Sequence, residues 1–125
     1  MATAQVPARQ IVLVVEDEPI LMMDAVDLIE QAGFEAVEAT NADEAIKILL
    51  SRPDIHILFT DIDMPGSMDG VKLAQIARDR WPPIEIIIVS GHRTVHEDDM
   101  PDRGLFFAKP YSPRAVKAAL QSFVA

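Results

Sequence analysis

Four apolar runs in this chain each stop at a reactive side chain. Ile55–Thr60 ends at Asp61, which Ile62-Asp63-Met64-Pro65-Gly66 follows. Val12–Val15 runs into Glu16-Asp17, Ile86–Val89 into Ser90, and Leu105–Ala108 into Lys109. A strand that ends in a carboxylate and then breaks at Pro-Gly presents that carboxylate at its carboxyl edge. Three carboxylates about 4–6 Å apart repel by about 3–4 kcal/mol per pair at an effective dielectric near 20. They stay ionised together only beside a cation. An all-oxygen donor set with room for water suits Mg²⁺; with no sulfur and no convergent histidine pair, zinc fits poorly. Beside such a cation Asp61 is a nucleophile toward phosphorus, since carboxylates form acyl phosphates. Lys109 and the Ser90 hydroxyl would then meet the other phosphoryl oxygens, because phosphoryl transfer needs mainly positioning and charge neutralisation.

These groups meet only if their strands do. Apolar runs at 11–15, 34–39, 55–60, 84–89 and 104–108 alternate with amphipathic segments. The first helix is predicted to open at Pro19, to carry Leu21, Ala25, Leu28 and Ala32 on one face, and to end at Gly33 in a left-handed cap. The second begins at Asn41, with Glu44 completing a capping box, and runs to Ser51 before Pro53. The third spans Gly70 to Arg80, with Trp81 covering its end. The last has Ser112 as cap and Pro113 at its first position, with Val116, Ala119, Leu120 and Phe123 inward. Residues 91–103 have almost no apolar face, and Pro101 limits any helix there, so a loop with at most a short helical turn is expected. Alternating strands and helices imply right-handed crossovers onto a parallel sheet covered on both faces. Ligands of such sheets bind at the carboxyl ends of strands where the order reverses. Glu16-Asp17 reaches Asp61 only if the first and third strands are neighbours, and the order 2-1-3-4-5 makes them so.

From Gln10 to Val124 the chain resembles a receiver domain of the two-component response-regulator family. Val14-Val15-Glu16-Asp17-Glu18-Pro19 resembles that family's acidic-pair motif, and Thr60-Asp61-Ile62-Asp63-Met64-Pro65-Gly66 its phosphoacceptor motif. Val89-Ser90-Gly91-His92 matches the hydroxyl position and Ala108-Lys109-Pro110 the lysine position. The resemblance implies a flavodoxin-like, doubly wound, five-stranded parallel sheet, from which this chain departs in the stretch between Ser90 and Lys109, short for the family and expected to form a short or irregular fourth helix. It implies Asp61 as phosphoacceptor, Ser90 and Lys109 as its helpers, and Mg²⁺ held by Glu16, Asp17, Asp61 and the backbone carbonyl of Asp63. It further implies a cis Lys109–Pro110 peptide and a switch in which Ser90 moves inward and Phe106 rotates after it. Asp63 and His92 would flank the path of attacking water and tune hydrolysis. The phosphoryl donor would be a sensor histidine kinase or a histidine phosphotransfer protein, and an unnamed downstream protein would read the changed surface. No output domain is expected after Ala125, so the resemblance is to a stand-alone receiver, a phosphoacceptor and not a turnover enzyme.

Composition bounds the alternatives. The 125 residues fit one domain, with residues 1–8 expected as a frayed tail and 9–125 as the folded unit. Twenty acids against 11 bases give a net charge of −9, which disfavours direct nucleic-acid binding. The lack of cysteine excludes disulfides, thiolate metal sites and cysteine nucleophiles. The first eight residues carry no signal-peptide pattern and no run is long enough to span a bilayer, so no membrane insertion and a cytoplasmic location are expected. Homodimerisation is left open. Asp61-Ile62-Asp63 also matches the start of a haloacid-dehalogenase-type phosphatase motif, but Met64 replaces its Thr or Val and the acidic pair lies upstream. A pseudo-receiver that binds without phosphorylation is a third reading, opposed by every reactive position being filled. His92 and His96 beside Glu97, Asp98 and Asp99 read as an exposed polar loop, and His56 as packing or surface.

Overall fold

The computed structural model describes residues 9–92 and 94–124. The predicted tail at 1–8 lies outside the described residues. Five strands form one parallel sheet in the order β2-β1-β3-β4-β5. They are β1 (Ile11–Val15), β2 (Glu35–Ala39), β3 (Ile55–Asp61), β4 (Glu85–Ser90) and β5 (Gly104–Ala108). The central strands are continuous apolar runs because helices cover both of their faces. Leu13, Val15, Leu58, Ile86 and Ile88 pack beneath α2 (Ala42–Ser51) and α3 (Gly70–Arg80). Val12, Val14, Ile57, Phe59, Ile87 and Val89 pack beneath α1 (Pro19–Gln31) and α4 (Pro113–Ser122). Edge strand β2 differs: Glu35 and Glu38 face solvent, which blunts pairing with another chain.

Local chemistry sets the helix ends. Pro19 opens α1, and Gly33 follows its end at φ 97, a left-handed conformation that glycine adopts without penalty. The buried face of α1 is Met22, Ala25, Leu28 and Ile29; Leu21 is only half-buried. Asn41 caps α2 by accepting from the Glu44 N–H at 2.8 Å. The Glu44 carboxylate reaches back to the Thr40 N–H and hydroxyl, both at 3.3 Å, rather than to Asn41 as a standard capping box would. Asp69 caps α3 through the Lys72 N–H, and Ser112 caps α4 through the Ala115 N–H. Trp81 ends α3 half-buried, with the Arg80 guanidinium 5.1 Å above its ring. His56 is exposed at a register shift, where Val12 pairs with Ile57 and the Ile11 N–H meets His56 Nδ1 at 3.4 Å.

Between β4 and β5 the described residues form one 3-10 turn, Glu97–Asp99, in place of a full helix. Val95 and Met100 pack against the core beneath α3, and Pro101 is buried. The register brings the strand ends level. Val15 pairs with Thr60, Asp61 with Val89, and Ser90 with Ala108, so the residues beyond each strand share one edge.

Candidate functional site

At that edge Glu16, Asp17 and Asp61 each present a carboxylate oxygen within 4.8 Å of the other two. Asp17 is exposed, whereas Glu16 is 5% and Asp61 7% accessible. The Lys109 ammonium lies between the buried pair, 2.9 Å from Asp61 Oδ2 and 3.1 Å from Glu16 Oε1. Backbone donors hold the acids as well: the Glu18 N–H meets Glu16 Oε2 at 3.2 Å, and the Asp63 N–H meets Asp61 Oδ1 at 3.3 Å. Lys109 is itself placed by its N–H bond to the Ser90 carbonyl at 2.8 Å. The Lys109–Pro110 peptide is cis.

The electrostatics follow from burial against pairing. Burial pushes the Glu16 carboxyl above the usual carboxylate range. Hydrogen bonds from the Glu18 N–H and Lys109 oppose the rise, and the Asp61 charge adds to it. Burial alone would lower the Lys109 ammonium, but hydrogen bonds and charge from Asp61 and Glu16 outweigh it and hold it above the usual lysine value. Both partners move upward: burial outweighs the donors at Glu16, while two acids outweigh burial at Lys109. Three acids against one ammonium leave the cluster short of positive charge. An all-oxygen, acid-rich donor set of this kind suits a hard divalent cation, so the residues present fit Mg²⁺.

Ser90, 2% exposed, does not turn its hydroxyl to Asp61 here. Its Oγ donates to Asp63 Oδ2 at 3.4 Å and accepts from the His92 N–H at 3.3 Å. His92 is exposed and Asp63 half-buried at the rim. Phe106 and Phe107 are both half-buried on opposite faces, Phe106 toward α3 and Phe107 toward α1 and α4. The sequence reading thus placed its acids, hydroxyl and lysine on one edge.

Sequence reasoning missed three neighbours. A Cβ on Gly70 would fall onto the Asp61 carbonyl oxygen, so the start of α3 sits directly against the phosphoacceptor candidate's backbone. Thr60 is buried and donates its hydroxyl to the Asp61 carbonyl at 2.9 Å. Tyr111 stands edge-on to Phe59, centroids 6.1 Å apart, and burial raises its hydroxyl pKa. Tyr111 belongs to a groove of about 640 Å³ between α1 and α4 that opens onto Glu16, Asp61 and Lys109. Beside the groove α1 exposes Ile20 and Met23, 74% and 65% accessible. A glycine directly after the Asp69 cap was the one sequence signal available for the Gly70 contact.

A doubly wound parallel sheet with acids, a hydroxyl and a lysine at its carboxyl edge defines a receiver-type α/β domain. The chain matches the response regulator receiver domain family over residues 12–121. It is 35% identical over 116 residues to the transcriptional regulatory protein PdtaR of Mycobacterium tuberculosis, spanning 89% of this chain and 54% of that protein. It is 34% identical over 85 residues to a putative response regulator NtrX-like protein of Rickettsia bellii, 67% of this chain and 18% of that protein. The chain therefore spans from under a fifth to about half the length of these curated relatives. Among solved structures, a response regulator receiver protein from Pseudomonas putida superposes with a TM-score of 0.81 at 29% identity, covering 94% of this chain and 99% of that one. One from Sinorhizobium medicae gives 0.84 at 27%, covering 92% and 94%. The chain belongs to the response regulator receiver family of two-component signalling, and its acidic cluster fits that family's phosphorylation site. No helix among the described residues is long and apolar enough to cross a membrane.

Proposed function

We propose that Asp61 takes a phosphoryl group from a phosphohistidine on a sensor kinase or a histidine phosphotransfer protein. An Asp61 carboxylate oxygen forms the new bond to phosphorus while the phosphorus–nitrogen bond breaks, and the imidazole keeps the electron pair and regains a proton. Glu16, Asp17, Asp61 and the Asp63 carbonyl would hold Mg²⁺, which supplies charge neutralisation on the phosphoryl oxygens. Lys109 would neutralise a second phosphoryl oxygen, and Ser90 would donate to a third. The observation that carries this reading is the Lys109 ammonium bonded to Asp61 inside a three-acid cluster. Exposed Ile20 and Met23 beside the groove offer apolar surface for docking the donor.

The protein would signal through a downstream protein, with Ser90 and Phe106 as the moving parts, and would act in the cytoplasm. A net charge of −9 sets it against binding nucleic acid itself. The family match favours a phosphoacceptor over a phosphatase with turnover. After treatment with acetyl phosphate and Mg²⁺, intact-mass analysis should show one phosphate adduct, absent from Asp61→Asn. An adduct that persists in that variant would remove the assignment. Asp63 and His92 both bond to Ser90 beside Asp61, so replacing both with alanine should change the dephosphorylation rate about three- to tenfold, the scale of about one hydrogen bond. An unchanged rate would show that neither tunes hydrolysis.

A further inference from the structure

Asp63 touches two working parts of the site at once. Its backbone N–H holds Asp61 Oδ1, and its carboxylate accepts the Ser90 hydroxyl proton. Ser90 is almost wholly buried, with its carbonyl tied to the Lys109 N–H and its hydroxyl oxygen to the His92 N–H. A serine hydroxyl has one proton to donate. We propose that Asp63 is a positioning residue that acts through Ser90, holding the hydroxyl proton in the unphosphorylated protein so that a phosphoryl oxygen on Asp61 must win it in competition. This deepens the phosphoacceptor reading and rests on it.

Two effects of phosphorylation act in the same direction. The phosphoryl group is a strong multi-oxygen acceptor carrying between one and two negative charges, so it attracts the proton outright. Its charge also repels the Asp63 carboxylate only two residues from Asp61, weakening the hold that must be released. At 3.4 Å the Ser90–Asp63 bond lies beyond the best hydrogen-bond range, so it can be exchanged and still bias the unphosphorylated state. The identity of residue 63 thereby sets how readily Ser90 changes partner. An alanine there removes the competitor, and an asparagine keeps an acceptor oxygen without the charge.

The test is a double-mutant cycle read with beryllofluoride and Mg²⁺ as the phosphoryl mimic. Asp63→Ala should tighten apparent beryllofluoride affinity about three- to tenfold more in the Ser90 protein than in the Ser90→Ala background, about 0.7–1.4 kcal/mol of coupling. Asp63→Asn should fall between Asp63→Ala and the parent. In metal-free protein, the Ser90 and His92 amide resonances of Asp63→Ala should move along the line toward their beryllofluoride-bound positions. Equal factors in both backgrounds would overturn the inference by showing that Asp63 acts through charge alone. Metal-free Ser90 and His92 resonances that stay in place would overturn it as well. Failure of the parent protein to take up beryllofluoride would instead sink the phosphoacceptor reading, and this inference with it.

Discussion

The two crossovers that flank β4 cover the same face of the sheet by different means. Between β3 and β4 lies α3, an 11-residue helix that buries Leu73, Ala74 and Ala77 and satisfies its own backbone. Between β4 and β5 the described residues form a single 3-10 turn, and two carbonyls of that segment are met by side chains reaching out from α3. Gln75 Nε2 donates to the Asp99 carbonyl at 2.8 Å, and Arg78 Nε to the Asp102 carbonyl at 2.7 Å. Arg103 closes the strap in a left-handed conformation, φ 61, which costs a non-glycine residue about 1–2 kcal/mol. Its guanidinium bonds to the Pro82 carbonyl at 2.7 Å and to Glu85 at 3.2 Å help hold that turn. A segment with an apolar stripe can cover the sheet as a helix. One without it borrows donors from a neighbour that has one, beside the few apolar contacts it makes.

The largest effect expected from this contrast comes at Gly70. Its ideal Cβ would overlap the Asp61 carbonyl oxygen and stand 2.7 Å from the Asp61 carbonyl carbon and 2.9 Å from Ile62 Cα. All three are backbone atoms at the end of a central strand, so nothing flexible can yield. Gly70→Ala should therefore push the start of α3 off the sheet, destabilise the domain by about 3 kcal/mol or more, and slow phosphorylation of Asp61. Urea unfolding and acetyl phosphate labelling measure the two losses. A stability loss below about 1 kcal/mol would mean that α3 can slide without disturbing the site, and would remove half of the contrast.

Much of this was readable from residue order, and what was not has a common cause. Periodicity and caps are local, so Pro19, Asn41, Ser112 and the glycine after α1 announced their helices. The strand ends announced the site, because apolar runs stop where Glu16, Asp61, Ser90 and Lys109 begin. The strap between β4 and β5 was legible only as a lack: residues 91–103 offer no helical stripe, and nothing in that stretch says which donors satisfy it. Those donors lie on α3, 24 residues away in sequence for both Gln75 and Arg78. The Ser90–Asp63 bond depends on the register of β3 and β4, and the Gly70 contact on where α3 packs back onto the end of β3, neither of which a linear reading displays. Leu21 showed the limit of the helical wheel: it shares the apolar period of α1 but lines the groove, while Met22 and Ile29 fill the core.

A smaller and more local effect is expected at Arg78, where the other half of the contrast can be broken. Its guanidinium donates to three carbonyls, those of Asp102 (2.7 Å), Pro82 (2.7 Å) and Ile84 (2.6 Å). Burial draws its pKa down, nearby Arg103 adds to this, and Nη2 has no hydrogen-bond partner among the described residues. The site thus tolerates a disfavoured charge in order to satisfy backbone that no helix satisfies. Arg78→Met would fill the same space and take this donor from the Asp102 and Ile84 carbonyls, while the Pro82 carbonyl keeps its bond from Arg103, for an expected loss of about 2–3 kcal/mol. Arg78→Lys should recover little, since one ammonium cannot reproduce a planar fork spanning three acceptors. Hydrogen exchange distinguishes a local from a global role. Amides in residues 94–103 should lose protection in Arg78→Met, while those inside α3 keep theirs, because α3 closes its own hydrogen bonds and the strap does not. Unchanged protection across 94–103 would show that Val95, Met100 and Pro101 anchor the strap by apolar packing alone, and the two crossovers would then differ in shape but not in what holds them.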